Sequence, residues 1–95
     1  MAAYVIANVD VKDPAAFEEY RKLVPATIQK YGGKYVVRGG THEKLEGGWQ
    51  PKRLVILEFP SVEQAKRWHG SPEYGPAKAL RQKAAVTDVV VVEGA

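Results

Sequence analysis

Residues 38–61, which read RGGTHEKLEGGWQPKRLVILEFPS, decide how this chain is folded. Five of the seven residues in the segment 53–59 are apolar and most of these are branched, which is typical of a strand. Ahead of it, the glycines at 47–48 and Pro51 mark a turn. We therefore predict a hairpin whose first strand begins near residue 35 and continues as far as Glu46.

Before this hairpin, the sequence predicts a helix that begins at Pro14 with Asp13 as its N-cap, since proline at the first helical position loses no hydrogen bond. Apolar residues recur on one face of this segment at helical spacing. Pro25 lies inside the pattern and should kink or break the helix, because it removes a backbone hydrogen bond. The glycines at 32–33 are expected to end it.

After the hairpin, Ser61 and Gln64 form a capping-box pattern that starts a second helix, with Trp68 on its apolar face. The turn Ser-Pro-Glu-Tyr at 71–74 follows, broken by the Gly-Pro pair at 75–76. A last amphipathic segment should then bury Ala77, Leu80 and Ala84 and expose Lys78, Arg81 and Lys83.

Two further strands, at 4–9 and 87–93, complete the order β-α-β-β-α-β. This order predicts one α+β domain over residues 1–95, a ferredoxin-like sandwich with an extra helical segment before the last strand.

The strands at 53–59 and 87–93 are apolar on both faces. Val55 and Leu57 alternate with Leu54 and Ile56, and residues 89–92 are four valines in a row. Because helices in this architecture cover one face of the sheet, the other face also needs a cover. We predict a homodimer in which two sheets pack face to face; the alternatives are a bound lipid or a partner protein.

The composition argues against several classes of partner. The 14 basic and 11 acidic residues are interspersed, with no basic tract for nucleic acid, and no apolar run approaches the ~18 residues of a membrane span. The first residues run directly into a strand pattern, so we expect no signal peptide and a cytoplasmic location. The chain has no cysteine, and His42 and His69 lack ligand spacing, so no metal is expected.

The pattern GGTHEKLEGGWQPKR at 39–53, EFPS at 58–61, Trp68 and SPEY at 71–74 closely resembles the domain-of-unknown-function 1330 family. The resemblance implies the dimeric α/β-barrel superfamily, which includes cofactor-independent monooxygenases, haem-degrading enzymes, isomerases and stress-response proteins, so the fold alone does not decide the activity. His69 stands where the family usually has an aromatic residue. Haem-degrading relatives require a histidine well after the tryptophan, and no histidine follows His69 in this chain. We therefore expect neither haem nor another cofactor.

Polar residues of the hairpin suggest a candidate site. If Glu46 pairs opposite Lys52, then His42 lies opposite Ile56, and Arg38 lies diagonal to Glu58. With the first and third strands taken as parallel neighbours, one end of the barrel would gather four polar side chains between two aromatic walls. The polar candidates are Asn8, Arg38, His42 and Glu58, and the walls are Trp68 and Tyr74.

Each candidate also has a structural interpretation. Glu58 is either a general base or a carboxylate paired with Arg38, which could instead clamp a ligand anion. His42 is either an acid–base group or solvated, and His69 should face solvent. Trp68 and Tyr74 either pack in the core or line a ligand site, Tyr74 with its hydroxyl as an orienting donor, and Asn8 belongs to the substrate-binding set.

These residues favour a protein that binds or transforms a small, anionic organic molecule without a cofactor. As an enzyme it would catalyse proton transfer or cofactor-free oxygenation, with Glu58 or His42 as base. The alternative is a non-enzymatic dimeric binding or stress-associated module in which the same residues stabilise the sheet.

Overall fold

The computed structural model describes residues 1–95 and contains four strands and three helices. In chain order these are β1 (Ala3–Val11), α1 (Pro14–Lys30), β2 (Lys34–Arg38), β3 (Leu54–Phe59), α2 (Val62–His69), α3 (Gly75–Ala84) and β4 (Ala85–Glu93). The sheet order is β2-β3-β1-β4. This is the predicted βαββαβ ferredoxin-like sandwich, with α3 as the additional helix.

Local capping signals start two of the helices as predicted. The Asp13 side chain accepts a hydrogen bond from the Ala16 N–H at 3.2 Å at the start of α1, and the Ser61 hydroxyl accepts one from Gln64 N–H at 3.1 Å at the start of α2. Pro25 does not break α1, which is 17 residues long in total and continues past the proline. Burial on both sides of Pro25, at Val24 and Ile28 among others, holds the helix together across the one missing hydrogen bond.

The strand pairing corrects two of our predictions. β1 and β3 are antiparallel, so Asn8 lies opposite Leu54 and Glu58 lies opposite Tyr4, at the other end of the strand. β2 ends at Arg38 instead of continuing to residue 46, and its pairing with β3 shifts register through an irregularity after Tyr35. The segment 39–53 is therefore a long loop, and the predicted pairings of His42 and Glu46 do not form.

All three helices cover one face of the sheet. Their buried side chains form two core clusters with the helix-facing side chains of the strands. The larger cluster includes Ile28, Phe59, Trp68 and Tyr74, and the smaller one is built on Val9, Phe17, Ala84 and Ala85. None of the helices has the length and apolar character needed to cross a membrane.

Candidate functional site

A cavity of about 60 Å³ lies between the sheet and the helices, and its walls include members of both core clusters. A single water molecule needs roughly 10–15 Å³ by this measure, so the space is large enough for several waters or a small organic group. Most of the lining is aliphatic or aromatic. The polar side chains in the lining are Tyr20, Tyr35, Tyr74, Arg21, Arg38, Arg53, Arg81 and His69.

Tyr74 is held in the cavity wall by the turn that precedes α3. The Ser71 hydroxyl donates to the Trp68 carbonyl at 2.8 Å and accepts from the Tyr74 N–H at 3.1 Å. The Tyr74 ring stacks on the Trp68 ring with centroids 4.1 Å apart. This turn gives the phenol one orientation, and its hydroxyl lies 3.1 Å from the Tyr20 hydroxyl.

The phenols of Tyr20 and Tyr35 remain protonated at neutral pH. Burial, reinforced by the neighbouring Tyr74, raises the pKa of Tyr20 far above its ordinary value of 10.0. Burial also raises the pKa of Tyr35. Both hydroxyls are therefore neutral groups that can donate a hydrogen bond to a ligand.

Four arginines surround the cavity, and no carboxylate is part of its lining. Arg81 on α3 is only 6% exposed, although we predicted it on the outer face. Arg38 lies over the Tyr35 ring, 4.3 Å from its centroid, and Arg53 lies 5.8 Å from the centroid of Phe17.

These guanidinium groups are poorly compensated. The Nε atoms of Arg21, Arg53 and Arg81 are buried without a hydrogen-bond partner. Burial, together with the charges of Arg21 and Arg38, lowers the pKa of Arg53. Of the four arginines, only Arg21 forms a salt bridge, with Glu18 at 3.2 Å. A positive, donor-rich surface therefore faces an otherwise apolar space.

Three of the six predicted site residues line this cavity: Arg38, Trp68 and Tyr74. Trp68 is also a core residue, 3% exposed, and its indole N–H donates to Thr27 Oγ1 at 3.1 Å. Tyr74 likewise is both packed and presented to the cavity. For these two residues the structural and the functional interpretations are compatible.

The other three candidates lie elsewhere. The Asn8 side chain accepts from the Lys52 N–H at 2.9 Å, and the exposed His42 ring is 2.8 Å from the Pro51 carbonyl oxygen, so both tie down the 39–53 loop. Glu58 lies on the sheet face away from the helices, 3.6 Å from Lys34 and not paired with Arg38. The six residues do not meet in one place, because β1 and β3 run antiparallel and β2 is short.

His69, which we expected to face solvent, is half-buried and lines the cavity beside Tyr74. Its ring centroid is 6.2 Å from that of Trp68 and 6.0 Å from that of Tyr74. Burial lowers its pKa, with smaller contributions from the charges of Lys78 and Arg81. No group of three or more His, Cys, Asp or Glu side chains is close enough to hold a metal ion.

Solved structures with this fold cover nearly the whole chain. The RPA0582 protein of unknown function from Rhodopseudomonas palustris is 22% identical with a TM-score of 0.76, covering 99% of this chain and 82% of its own. A dimeric ferredoxin-like protein of unknown function from Jannaschia sp. CCS1 is 11% identical with a TM-score of 0.71, covering 99% and 100%.

SnoaB, a cofactor-independent oxygenase from Streptomyces nogalater, is 12% identical with a TM-score of 0.68, covering 99% of this chain and 93% of its own. At these identities the similarity establishes the fold alone. No curated protein matches the sequence significantly. A family profile described as a domain of unknown function (DUF1330) matches residues 2–95, and the chain therefore belongs to the DUF1330 family.

Proposed function

We propose that the protein binds a small organic anion with an apolar or aromatic body in the cavity between the sheet and the helices. The observation that carries this proposal is the set of three buried arginine Nε atoms without partners around a cavity whose lining has no carboxylate. Arg81 is buried and belongs to no salt bridge, so its guanidinium group costs free energy that an incoming anion would offset.

The apolar part of the lining supports an aromatic or aliphatic ligand body. Val55 and Leu57 from the sheet and Val24 from α1 supply apolar walls, and Trp68 and Tyr74 supply aromatic ones. Such a ligand would bury its body against these walls while its charged end accepts hydrogen bonds from the arginines and the Tyr20 hydroxyl. Arg38, at the exposed rim, would be the first cation that it meets.

We propose that the site works without a cofactor. The donors and charges that would hold an anion are all side chains of this chain, and SnoaB, which shares the fold, is a cofactor-independent oxygenase. The proposal gives Glu58 and His42 no role in the chemistry, because neither lines the cavity.

Titration with two probes of the same shape tests the anion site: 4-nitrobenzoate, which is charged, and 4-nitrobenzamide, which is neutral. We expect the carboxylate to bind at least about tenfold more tightly, as a charge-assisted hydrogen bond of 1.5–3 kcal/mol would give. Arg53→Gln should remove this preference. Arg67→Gln, on the exposed face of α2, is the matched control and should not. Equal, weak binding of both probes would favour the non-enzymatic module instead.

We further propose that two copies pair through the open face of the sheet. The strand register aligns Val37, Ile56, Ile6 and Val90 in one row across all four strands. These side chains alternate with those that face the helices, and no element of the chain covers them. Val90 and Val92, which share this face of β4, are 58% and 47% exposed, and a contiguous exposed apolar patch is typical of an interaction surface.

A further inference from the structure

His69 occupies the wall that separates the cavity from the protein surface. Besides the cavity, it lines two surface depressions, one bordered by Ala65, Lys66 and Val90 and the other by Arg81, Gln82 and Val86. Because the same residue borders the interior and both outer depressions, a ligand in the cavity and solvent outside can both reach it.

The imidazole is available to a ligand. The side chain of His69 takes part in none of the protein's hydrogen bonds; the residue's carbonyl oxygen accepts one from Lys78 Nζ at 3.0 Å. Neither ring nitrogen is among the buried polar atoms that lack a partner, so the ring is not sealed off. Its neighbours Trp68 and Tyr74 hold the ring through edge and tilted aromatic contacts.

His69 is also the one group in the lining suited to accept a proton near neutral pH. Arginine does not deprotonate in proteins, and the Tyr20 and Tyr35 phenols keep their protons. The charged groups around the ring are cations: Lys78 and Arg81 on α3 and Lys66 on α2. They favour the neutral imidazole, which has one nitrogen lone pair free.

We propose that His69 accepts the proton of a weakly acidic hydroxyl group, a phenol or an enol, when such a ligand enters the cavity. The ligand O–H bond breaks, a new N–H bond forms on the imidazole, and the electron pair stays on the ligand oxygen. The resulting oxyanion then pairs with the guanidinium groups. This inference rests on the proposed anion site and adds to it the ligand class and the proton acceptor.

The probe 4-nitrophenol tests the step, since its phenolate is yellow and its neutral form is not. At about one pH unit below the probe's own pKa, saturating wild-type protein should convert most of the bound probe to phenolate. His69→Gln and His69→Phe should lower the ratio of phenolate to neutral bound probe about tenfold, equivalent to one pKa unit. His42→Gln changes the other histidine, which lies outside the cavity, and should match wild type.

The outcomes separate the two proposals. If 4-nitrobenzoate binds but 4-nitrophenol is not ionised, or is ionised equally by His69→Gln, the anion site stands and the role of His69 is wrong. If wild type binds neither probe, both the anion site and the proton transfer are wrong. Two variants are used so that an effect common to both cannot be ascribed to loss of the fold. Phe retains the ring packing on Trp68 and Tyr74, and Gln retains polarity.

Discussion

The guanidinium group of Arg53 passes directly over Gly39, so closely that a Cβ atom at residue 39 would collide with it. Gly39 follows the end of β2 and has φ of +70°, a conformation that side chains with a Cβ rarely adopt. Its N–H donates to the Leu54 carbonyl at 2.8 Å, which brings the two strands together at this point. Gly39 therefore permits the close approach of Arg53, whose side chain lines the cavity.

We predict that Gly39→Ala destabilises the protein and weakens anion binding. The positive φ should cost about 1 kcal/mol, and the Arg53 guanidinium, as the end of a flexible side chain, should move aside at little further cost in stability. Urea unfolding and 4-nitrobenzoate titration measure the two effects, and affinity should fall about tenfold because a charge-assisted hydrogen bond is lost.

Two other glycines separate strain from collision in this experiment. Gly47 has φ of +86° with nothing near its Cβ position, so Gly47→Ala should cost stability without changing affinity. Gly40→Ala, with neither feature, should change little. Identical effects of Gly39→Ala and Gly47→Ala on both quantities would contradict the role of the close approach.

Arg81 is expected to lower stability in the ligand-free protein. It is buried, its Nε atom has no partner, and it belongs to none of the salt bridges. Arg81→Met should therefore raise the free energy of unfolding by about 1–2 kcal/mol, since it removes an uncompensated buried charge and keeps an apolar stem. The same variant should lose affinity for 4-nitrobenzoate.

The combination of higher stability and lower affinity is the result that identifies Arg81 as a ligand-binding group. Arg67→Met on the exposed face of α2 is the control, with an expected change within about 0.5 kcal/mol and unchanged affinity. An Arg81→Met protein that is less stable and binds the probe normally would mean that the arginine serves packing.

Arg81 and Arg21 also show why the sequence pattern did not predict the cations around the cavity. Both lie in helical register with buried residues: Arg81 between Ala77 and Ala84 on α3, and Arg21 between Phe17 and Val24 on α1. Counting only apolar side chains assigned Leu80 instead of Arg81 to the inner face. An arginine within a stripe of small buried residues was the signal that could have been used.

The order of the elements and their capping residues is set by residues that are close together in the sequence. The helix starts at Asp13 and Ser61 could therefore be predicted. Strand pairing depends on distant contacts. The glycines and the proline at 47–51 lie in a long loop and not in a hairpin turn. That loop is anchored from another strand, for example by the contact of Asn8 with Lys52. A hairpin register extrapolated from that turn was therefore wrong at His42 and Glu58.

Glu73 gives the protein an acid-sensitive link between α1 and the turn before α3. Its carboxylate lies 2.8 Å from Lys30 Nζ and accepts from the Tyr31 hydroxyl at 2.7 Å. Hydrogen bonds from Lys30 and then Tyr31 lower the pKa of Glu73 from 4.5 to about 2. Because the folded-state pKa is the lower one, the stabilisation is complete above about pH 4.5 and is lost as pH falls toward 2.

Glu73→Gln should remove this part of the pH dependence. Urea midpoints measured between pH 6 and pH 2 should fall less steeply for the variant than for wild type, with the difference confined to the range below about 4.5. Glu19→Gln, which removes an exposed carboxylate 3.5 Å from Lys22, should follow the wild-type curve. Parallel curves for Glu73→Gln and wild type would contradict the link.

The row formed by Val37, Ile56, Ile6 and Val90 predicts how the proposed dimer can be broken. Val90→Glu places a charge in this row, at a position already 58% exposed in the single chain. Burying an unpaired carboxylate between two sheets is strongly unfavourable, whereas the isolated protomer should tolerate it. Sedimentation equilibrium should give a dimer for wild type and a monomer for Val90→Glu, with unchanged far-UV circular dichroism.

Lys22→Glu is the control for this experiment, since it changes charge on the exposed face of α1, on the opposite side of the sheet from the row. It should remain dimeric. A wild-type protein that sediments as a monomer, or a Val90→Glu protein that still dimerises, would exclude pairing through this face.

Dimerisation would also cover Glu58 and Lys34, which share that face. Glu58→Gln should therefore change the dissociation constant of the dimer and leave 4-nitrobenzoate affinity unchanged.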